Sequence, residues 1–257
     1  MATKSSQNVL DLIDATTVVS LFSTLAILGA AWTASLYALP KQSTTKTRIL
    51  FVWHAFDALI HFFLEGSYLY NCFFTYIDTG IVKGLGHNGG GLSEFLPPNV
   101  FFLGRTDRLY GSFYGANPFS ALWRVYAQAD KRWGGSDLTV ISLELLTVFI
   151  MAPLAVWVCI CLSTRKAGTI GGSEWFWMMV IATGELYGGF MTFSPEWLSG
   201  SPNLDTSNFL YLWVYLVFFN TLWVWIPLWI LYEAYHVITG ALAGPQAINA
   251  PKAKKRQ

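Results

Sequence analysis

Charge is scarce in this sequence. Of its 257 residues only 12% are Asp, Glu, Lys or Arg and 54% are hydrophobic, whereas a soluble domain carries about 25% charged residues; the mean hydropathy is +0.43. That balance excludes an ordinary water-soluble globule and leaves a membrane protein. Neither sign of charge dominates, since 16 basic against 15 acidic residues give +1, so the positive field that a nucleic-acid partner needs is missing. The three cysteines, Cys72, Cys159 and Cys161, are too few and too scattered for a disulfide framework or a metal site. Cys159 and Cys161 lie two apart on one expected helix and cannot face each other, so all three read as packing residues. No phosphate-cradling glycine motif, zinc ligand set or nucleophile elbow occurs. Residues 1–16 also lack the basic start, short apolar core and small-residue cleavage site of a removable signal, and the N-terminus is expected to be retained.

What is present is a series of long apolar runs. Five are long enough to cross the ~30 Å hydrocarbon layer as helices, at about 17–39, 50–76, 138–162, 175–193 and 209–235. The expected fold is all-α, a polytopic bundle of five transmembrane helices forming a single integral membrane domain over 1–257. Pro40 ends the first run, and Pro153 is the expected kink of the third. Between the second and third lies a long non-membrane loop or cap, 77–137, whose charges and breaker-rich GLGHNGGGLSEFLPPN run forbid a span. Its aromatics suggest packing on the membrane surface or over the mouth of the bundle, and PFSALWRVYAQADKRW, from Pro118, has the spacing of an interfacial helix. Basic residues at Lys41, Lys46 and Arg48, at Arg165 and Lys166, and in the 241–257 tail put those segments in the cytosol by the positive-inside rule. The N-terminus is then lumenal. The closing Lys254, Lys255, Arg256 and Gln257 resemble a dilysine retrieval signal for the endoplasmic reticulum membrane, against the plainer reading of a solvated basic tail near anionic headgroups.

The second span, FVWHAFDALIHFFLEGSYLYNCFF, carries His54, Asp57, His61 and Glu65 within an arc of about 80°, with Tyr68 on the same stripe. A charge at bilayer depth costs at least ~2.5 kcal/mol unless paired, so intramembrane ionisable groups are functional candidates. His61 and Glu65, at i and i+4, can share a proton. The plain alternative is a polar pair that locks two helices. Glu144 and Thr147 add a carboxyl and a hydroxyl on the third span. The fourth carries Glu185, followed by Tyr187, Gly188 and Gly189, glycines that would allow close helix approach. The fifth places Trp213, Asn220, Trp223 and Pro227 along one face, although most membrane tryptophans only pack or anchor. Together these groups suggest a water-poor cavity in which a carboxylic acid protonates an alkene while aromatic faces and a carboxylate stabilise the cation. The partners would be an apolar substrate and the lipid bilayer. A homodimer through an outer helix face stays open as a further partner, although no residue pattern argues for it.

At these residues the sequence resembles the emopamil-binding protein family, the sterol Δ8-Δ7 isomerases of the endoplasmic reticulum with an EXPERA domain. The carriers are IHFFLEG, LWRVYAQADKRW, LTVISLELLTVFIMAPLAVWV, GELYGG and VFFNTLWVWIPL, in that order from the second span to the fifth. The resemblance implies a five-helix membrane bundle and the shift of a sterol ring double bond through a carbocation, with no cofactor and no metal. It implies His61, Glu65, Glu144, Thr147, Asn220 and Trp223 as the catalytic set, with the His61/Glu65 unit and Glu144 dividing proton donation and removal and Trp223 facing the cation. Asp57, Tyr68, Glu185, Tyr187 and Trp213 are expected to bind substrate or tune the set, and His54 and Asp57 rank behind the His61/Glu65 pair. Three features depart from the family pattern: the longer 77–137 loop, Glu185 where an amide is usual, and Asp57 as an added acid. They keep two alternatives open, a related isomerase or cyclase of a polycyclic terpenoid, and a non-catalytic sterol-binding protein.

Overall fold

The structure is a computed structural model that describes residues 15–80, 95–97, 99–165 and 169–248. The extreme N-terminus, the GHNGGG run, Lys166 and the basic C-terminal tail lie outside the described residues. Apart from two three-residue strands, the regular structure among them is helical. The chain is an all-α, polytopic membrane protein. Four stretches are long and apolar enough to cross a bilayer: Leu21–Ala38, Thr45–Phe74, Leu138–Thr164 and Leu210–Ala243. Helix α1 (Ala15–Ala38) shows why lipid is its solvent, because Phe22, Leu25, Trp32 and Tyr37 all point outward. Only a helix, with every backbone bond internal, presents such a surface to hydrocarbon without cost.

The second rod is α2 (Thr45–Leu59), a widened π turn (Ile60–Glu65) and α3 (Gly66–Phe74), running on without a break. Thr44 caps its start through Oγ1 to the Thr47 N–H at 3.1 Å. The third is built the same way, from α5 (Leu138–Leu146), a π turn (Thr147–Met151) and α6 (Ala152–Thr164), and is capped by Asp137. Its irregularity begins a turn and a half before the expected kink. Pro153 comes just past the π turn, so the widened backbone comes where the proline withholds an N–H from the continuous rod. The last rod is a π segment (Leu210–Phe219) followed by α8 (Asn220–Ile248). Between the last two comes α7 (Gly172–Ser199), which carries Glu174, Glu185 and Glu196, is not among the four stretches above, and packs lengthwise on α8. The main core joins α2, α6, α7 and α8 through Leu50, Trp53, Phe56, Val158, Met178, Ile181 and Ile230.

The long connection folds onto one end of this bundle. Tyr76–Asp78 (β1) pairs antiparallel with Arg108–Tyr110 (β2). Gly111, at φ 131°, then turns the chain so close to the Gly134 carbonyl that an added Cβ would lie 2.6 Å from it. Helix α4 (Pro118–Tyr126), capped by Asn117, lies against α3 and α1. Its Trp123 stacks on Trp133 at 4.9 Å between centroids, and both rings pack on Tyr68. The segment after α4 is clamped to the end of α7 by a buried ion group. Arg132 donates to both Asp130 oxygens at 2.9 and 2.6 Å and to the Thr192 carbonyl at 2.6 Å, with Glu196 3.6 Å away. Burial pushes the Asp130 carboxyl up, and the guanidinium holds it only partly down.

Candidate active site

The widened turns place the chemistry. In a π turn each N–H reaches back five residues, as Gly66 does to the His61 carbonyl and Ala152 to the Thr147 carbonyl, and such turns are frequent at functional sites. His61 and Glu65 lie in the first, Thr147 opens the second, and Asn220 closes the third. The Asn220 side-chain amide donates to the Tyr215 and Leu216 carbonyls at 2.9 and 3.0 Å and approaches the Tyr126 hydroxyl at 3.3 Å. It therefore secures the backbone of the π segment from the cavity side.

His61 is buried between two carboxylates. Its Nδ1 bonds Glu65 Oε2, and its Nε2 lies 3.0 Å from Asp57 Oδ1. The second contact has the distance of an ion pair without the alignment of a hydrogen bond. The same Asp57 oxygen accepts the Trp223 indole N–H at 2.8 Å. On the other side, Thr147 Oγ1 is 2.9 Å from Glu65 Oε2 and 2.7 Å from Glu144 Oε2. One hydroxyl has one proton. To bond both carboxyls it must donate to one and accept from the other, so one of Glu65 and Glu144 is a neutral acid. An imidazole that bonds one carboxylate through Nδ1 and stands at ion-pair distance from a second favours the cation, which leaves Glu65 ionised and Glu144 as the acid.

These groups face an apolar cavity of about 1230 Å³, its mouth included. It is lined from α1 by Leu21 and Thr24, from the second and third rods by Ile60, His61, Leu64, Glu65, Leu143, Glu144 and Thr147, and from α7 by Gly184, Glu185, Gly188, Gly189 and Thr192. Tyr215, Phe219, Asn220 and Trp223 close the far side, and Leu122, Trp123, Tyr126 and Trp133 form a roof. Glu185 is 6% exposed, and no N–H or O–H reaches either of its oxygens.

Several expected site residues stand elsewhere. Tyr68 is fully buried in the aromatic cluster behind the roof and does not line the cavity. Tyr187 is 64% exposed, because two residues after Glu185 a helix has turned to its opposite face. Trp213 is 52% exposed, because the π segment between it and Asn220 changes the register that a uniform helix would keep. Of the glycines, Gly184 makes the close approach, with Met151 2.5 Å from where a Cβ would stand. Gly188 and Gly189 face open space and shape the cavity instead. Asp57, ranked low from the sequence, is the junction of His61 and Trp223. Its position at i−4 from His61 was the signal available. The roof residues lie in PFSALWRVYAQADKRW, the segment expected as an interfacial helix, but nothing local ties its individual side chains to the site.

His61, Glu65 and Glu144 can each offer one ligand atom to a common point, all within 4.8 Å of one another. A metal ion held there would have to break the His61–Glu65 and Thr147 bonds that already satisfy those atoms.

Residues 118–234 match the family described as EXPERA, the expanded EBP superfamily. Over these residues, somewhat under half of the chain, the sequence is similar to that superfamily. The EXPERA region contains Glu144, Thr147, Glu185, Asn220 and Trp223, while Asp57, His61 and Glu65 precede it. A 3-beta-hydroxysteroid-Delta(8),Delta(7)-isomerase of Cavia porcellus is 30% identical over 122 residues, 48% of this chain and 51% of that protein. The chain thus spans about half the length of the mammalian relatives it matches. A probable isomerase of the same name from Oryza sativa is 25% identical over 224 residues, 87% of this chain and 82% of the relative. Isomeliandiol synthase MOI2 of Melia azedarach is 22% identical over 205 residues, 80% and 75% of the two chains.

Proposed function

We propose that this protein is a cofactor-independent intramembrane isomerase that moves a sterol ring double bond from Δ8 to Δ7. The observation that carries the reading is the Glu144–Thr147–Glu65–His61 chain on the wall of an apolar cavity. Glu144 gives its proton to the alkene, whose π electrons form the new C–H bond and leave a ring carbocation. The Trp223 face lines the same cavity, backed by Trp53 and Phe56 at 5.5 and 5.9 Å and polarised by the Asp57 carboxylate on its N–H. An indole face so placed stabilises a desolvated cation by about 2 kcal/mol. The neighbouring C–H then loses its proton to Glu65, its electron pair forming the shifted double bond, and Thr147 returns the proton to Glu144. No polar handle beyond a hydroxyl is needed on the substrate. A relative named for isomeliandiol synthesis over most of both lengths supports a second reading, the same chemistry on a polycyclic terpenoid, with either isomerisation or ring closure as outcome. The membrane is that of the endoplasmic reticulum, with a lumenal N-terminus and cytosolic tail, which a glycosylation acceptor added at each end would report.

The test supplies a Δ8-sterol to microsomes containing this protein in deuterated water. The expected product is the Δ7-sterol with deuterium at the protonated carbon. Absence of conversion by the folded protein, with a terpenoid panel converted instead, would move the assignment to the second reading; inactivity on both would end it. Turnover is expected to be unchanged by a chelator, because the three atoms a metal would use are bonded to each other and to Thr147.

A further inference from the structure

Acids and an aromatic face carry out the proposed reaction, but neither fixes which way a flat, apolar ring system lies in an apolar cavity. Most polar groups on the cavity wall are already spent. The Trp223 N–H goes to Asp57, the Trp123 N–H to Ser67 Oγ at 2.9 Å and the Thr192 hydroxyl to the Gly188 carbonyl at 2.9 Å, while Thr147 joins Glu65 to Glu144. The Glu185 oxygens are sealed beneath the wall. Two neighbouring groups are not spent. Asn220 Nδ2 has two protons, and the Tyr215 and Leu216 carbonyls at 2.9 and 3.0 Å take both. Those carbonyls also fix which way the amide faces, since its oxygen in that place would meet two acceptors. Asn220 Oδ1 therefore faces away from the π segment, bonded by no N–H or O–H among the described residues and not sealed in as Glu185 is. The Tyr126 hydroxyl, 3.3 Å from the amide nitrogen, finds no acceptor for its own proton among the described residues. Both side chains are half-buried and line the cavity.

We propose that Tyr126 and Asn220 form the recognition site for an alcohol on the substrate, the Tyr126 O–H donating to the alcohol oxygen and the alcohol O–H donating to Asn220 Oδ1. An alcohol fits because one oxygen both accepts and donates. A ketone answers Tyr126 alone, and a hydrocarbon answers neither. The two residues are 94 apart in the chain, one on the roof helix α4 and one on α8, so a bound alcohol also ties the roof to the bundle. The site sets the register of the ring system as well. Trp223 stands three residues beyond Asn220, about 4.5 Å along α8. A ring system that runs along α8 from an alcohol held at Asn220 brings its next fused ring to the indole face. On a sterol that ring carries the double bond that moves. The assignment rests on the Proposed function for what occupies the cavity, not for the step carried out on it.

The experiment therefore uses saturated ligands, which cannot isomerise. Purified full-length protein in detergent is titrated with a saturated sterol alcohol, the ketone at the same carbon and the parent hydrocarbon, read by the fluorescence of the cavity tryptophans. The wild-type protein is expected to bind the alcohol about tenfold more tightly than the hydrocarbon, with the ketone between them. Tyr126→Phe keeps the ring that packs on Trp123, Trp133 and Tyr215 and deletes the O–H. It is expected to weaken the alcohol and the ketone about fivefold and to leave the hydrocarbon unchanged. Equal loss for all three ligands would be a packing effect and would overturn the site. So would undiminished discrimination in the variant, or equal binding of all three by the wild-type protein; each leaves the Proposed function standing. In turnover of a Δ8-sterol, Tyr126→Phe is expected to raise KM about fivefold with kcat within about twofold, and a fall in kcat alone would overturn the recognition role. Discrimination without turnover of any sterol or terpenoid would remove the reaction and keep the site. A wild-type protein that binds none of the three would overturn both.

Discussion

Thr147 is the residue on which the proton count turns. Its single hydroxyl joins Glu65 to Glu144 at 2.9 and 2.7 Å, so Thr147→Val keeps the shape and deletes the bridge. Loss of one positioned proton carrier costs 10²–10⁴-fold, and kcat is expected to fall by about 100-fold with KM little changed, while Thr147→Ser keeps most of the rate. Single-turnover kinetics separates that outcome from a binding defect. Trp223 is a second residue with two roles, an N–H for Asp57 and a face for the cavity. Trp223→Phe leaves a face and strips Asp57 of a donor, so it is expected to lower the melting temperature as well as the rate, by about 1–3 kcal/mol of stability. At this scale the sequence is readable wherever a contact lies within one helix. His61 and Glu65 at i and i+4 meet as their spacing says, and Asp57 at i−4 obeys the same rule. The Asp57–Trp223 bond spans 166 residues, and no local pattern announces it.

The elements differ from their sequence expectation by the three π turns rather than by their existence. Apolar runs fix where helices lie, because lipid admits no other open backbone. A π turn has no residue signature, and its effect is to rotate everything beyond it, which is why Trp213 leaves the face it shares with Asn220 in a uniform helix. Asn220 holds the last of these turns through the Tyr215 and Leu216 carbonyls. Asn220→Ala leaves both short of a donor and is expected to cost about 1–3 kcal/mol per unsatisfied group, read as a lower melting temperature in detergent, with activity falling in parallel. Where α6 passes to α7, Arg165 donates to Glu174 at 2.7 and 2.8 Å. Burial pushes the Glu174 carboxyl up, but the guanidinium bonds outweigh it and hold it below its ordinary 4.5. A carboxyl whose folded value is lowered stabilises the fold above its unfolded value and loses that contribution as pH falls through the folded one. Melting temperature is therefore expected to drop below about pH 4.5, and Glu174→Gln to flatten that part of the profile.

For the whole molecule, function depends on an empty volume that none of the rods encloses alone. The second and third rods supply the acid chain, α7 and α8 the opposite wall, α1 a side, and the loop helix α4 the aromatic roof. The long 77–137 connection thus has work at the site through Trp123, Tyr126 and Trp133, with the Asp130–Arg132–Glu196 clamp fixing it to α7. In the reaction proposed above, an aromatic roof over an apolar cavity limits the access of water to the carbocation. The size of that cavity is set on the α7 side by an absence of side chains. Gly188 and Gly189 line it, and a Cβ at either meets nothing within 4 Å. This separates folding from binding. Gly188→Leu adds a Cβ that meets nothing within 4 Å, and replacing a mid-helix glycine favours the helix by about 1 kcal/mol, so the melting temperature is expected to hold or rise. The leucine side chain then occupies substrate space, and KM for a four-ring substrate is expected to rise about tenfold or more while small alkenes bind as before. A destabilised Gly188→Leu protein would mean that α7 is packed against a neighbour there. Unchanged KM in a stable one would mean that substrate does not reach this wall, and with it that Glu185, three residues away on the same face, lies beyond the reacting ring.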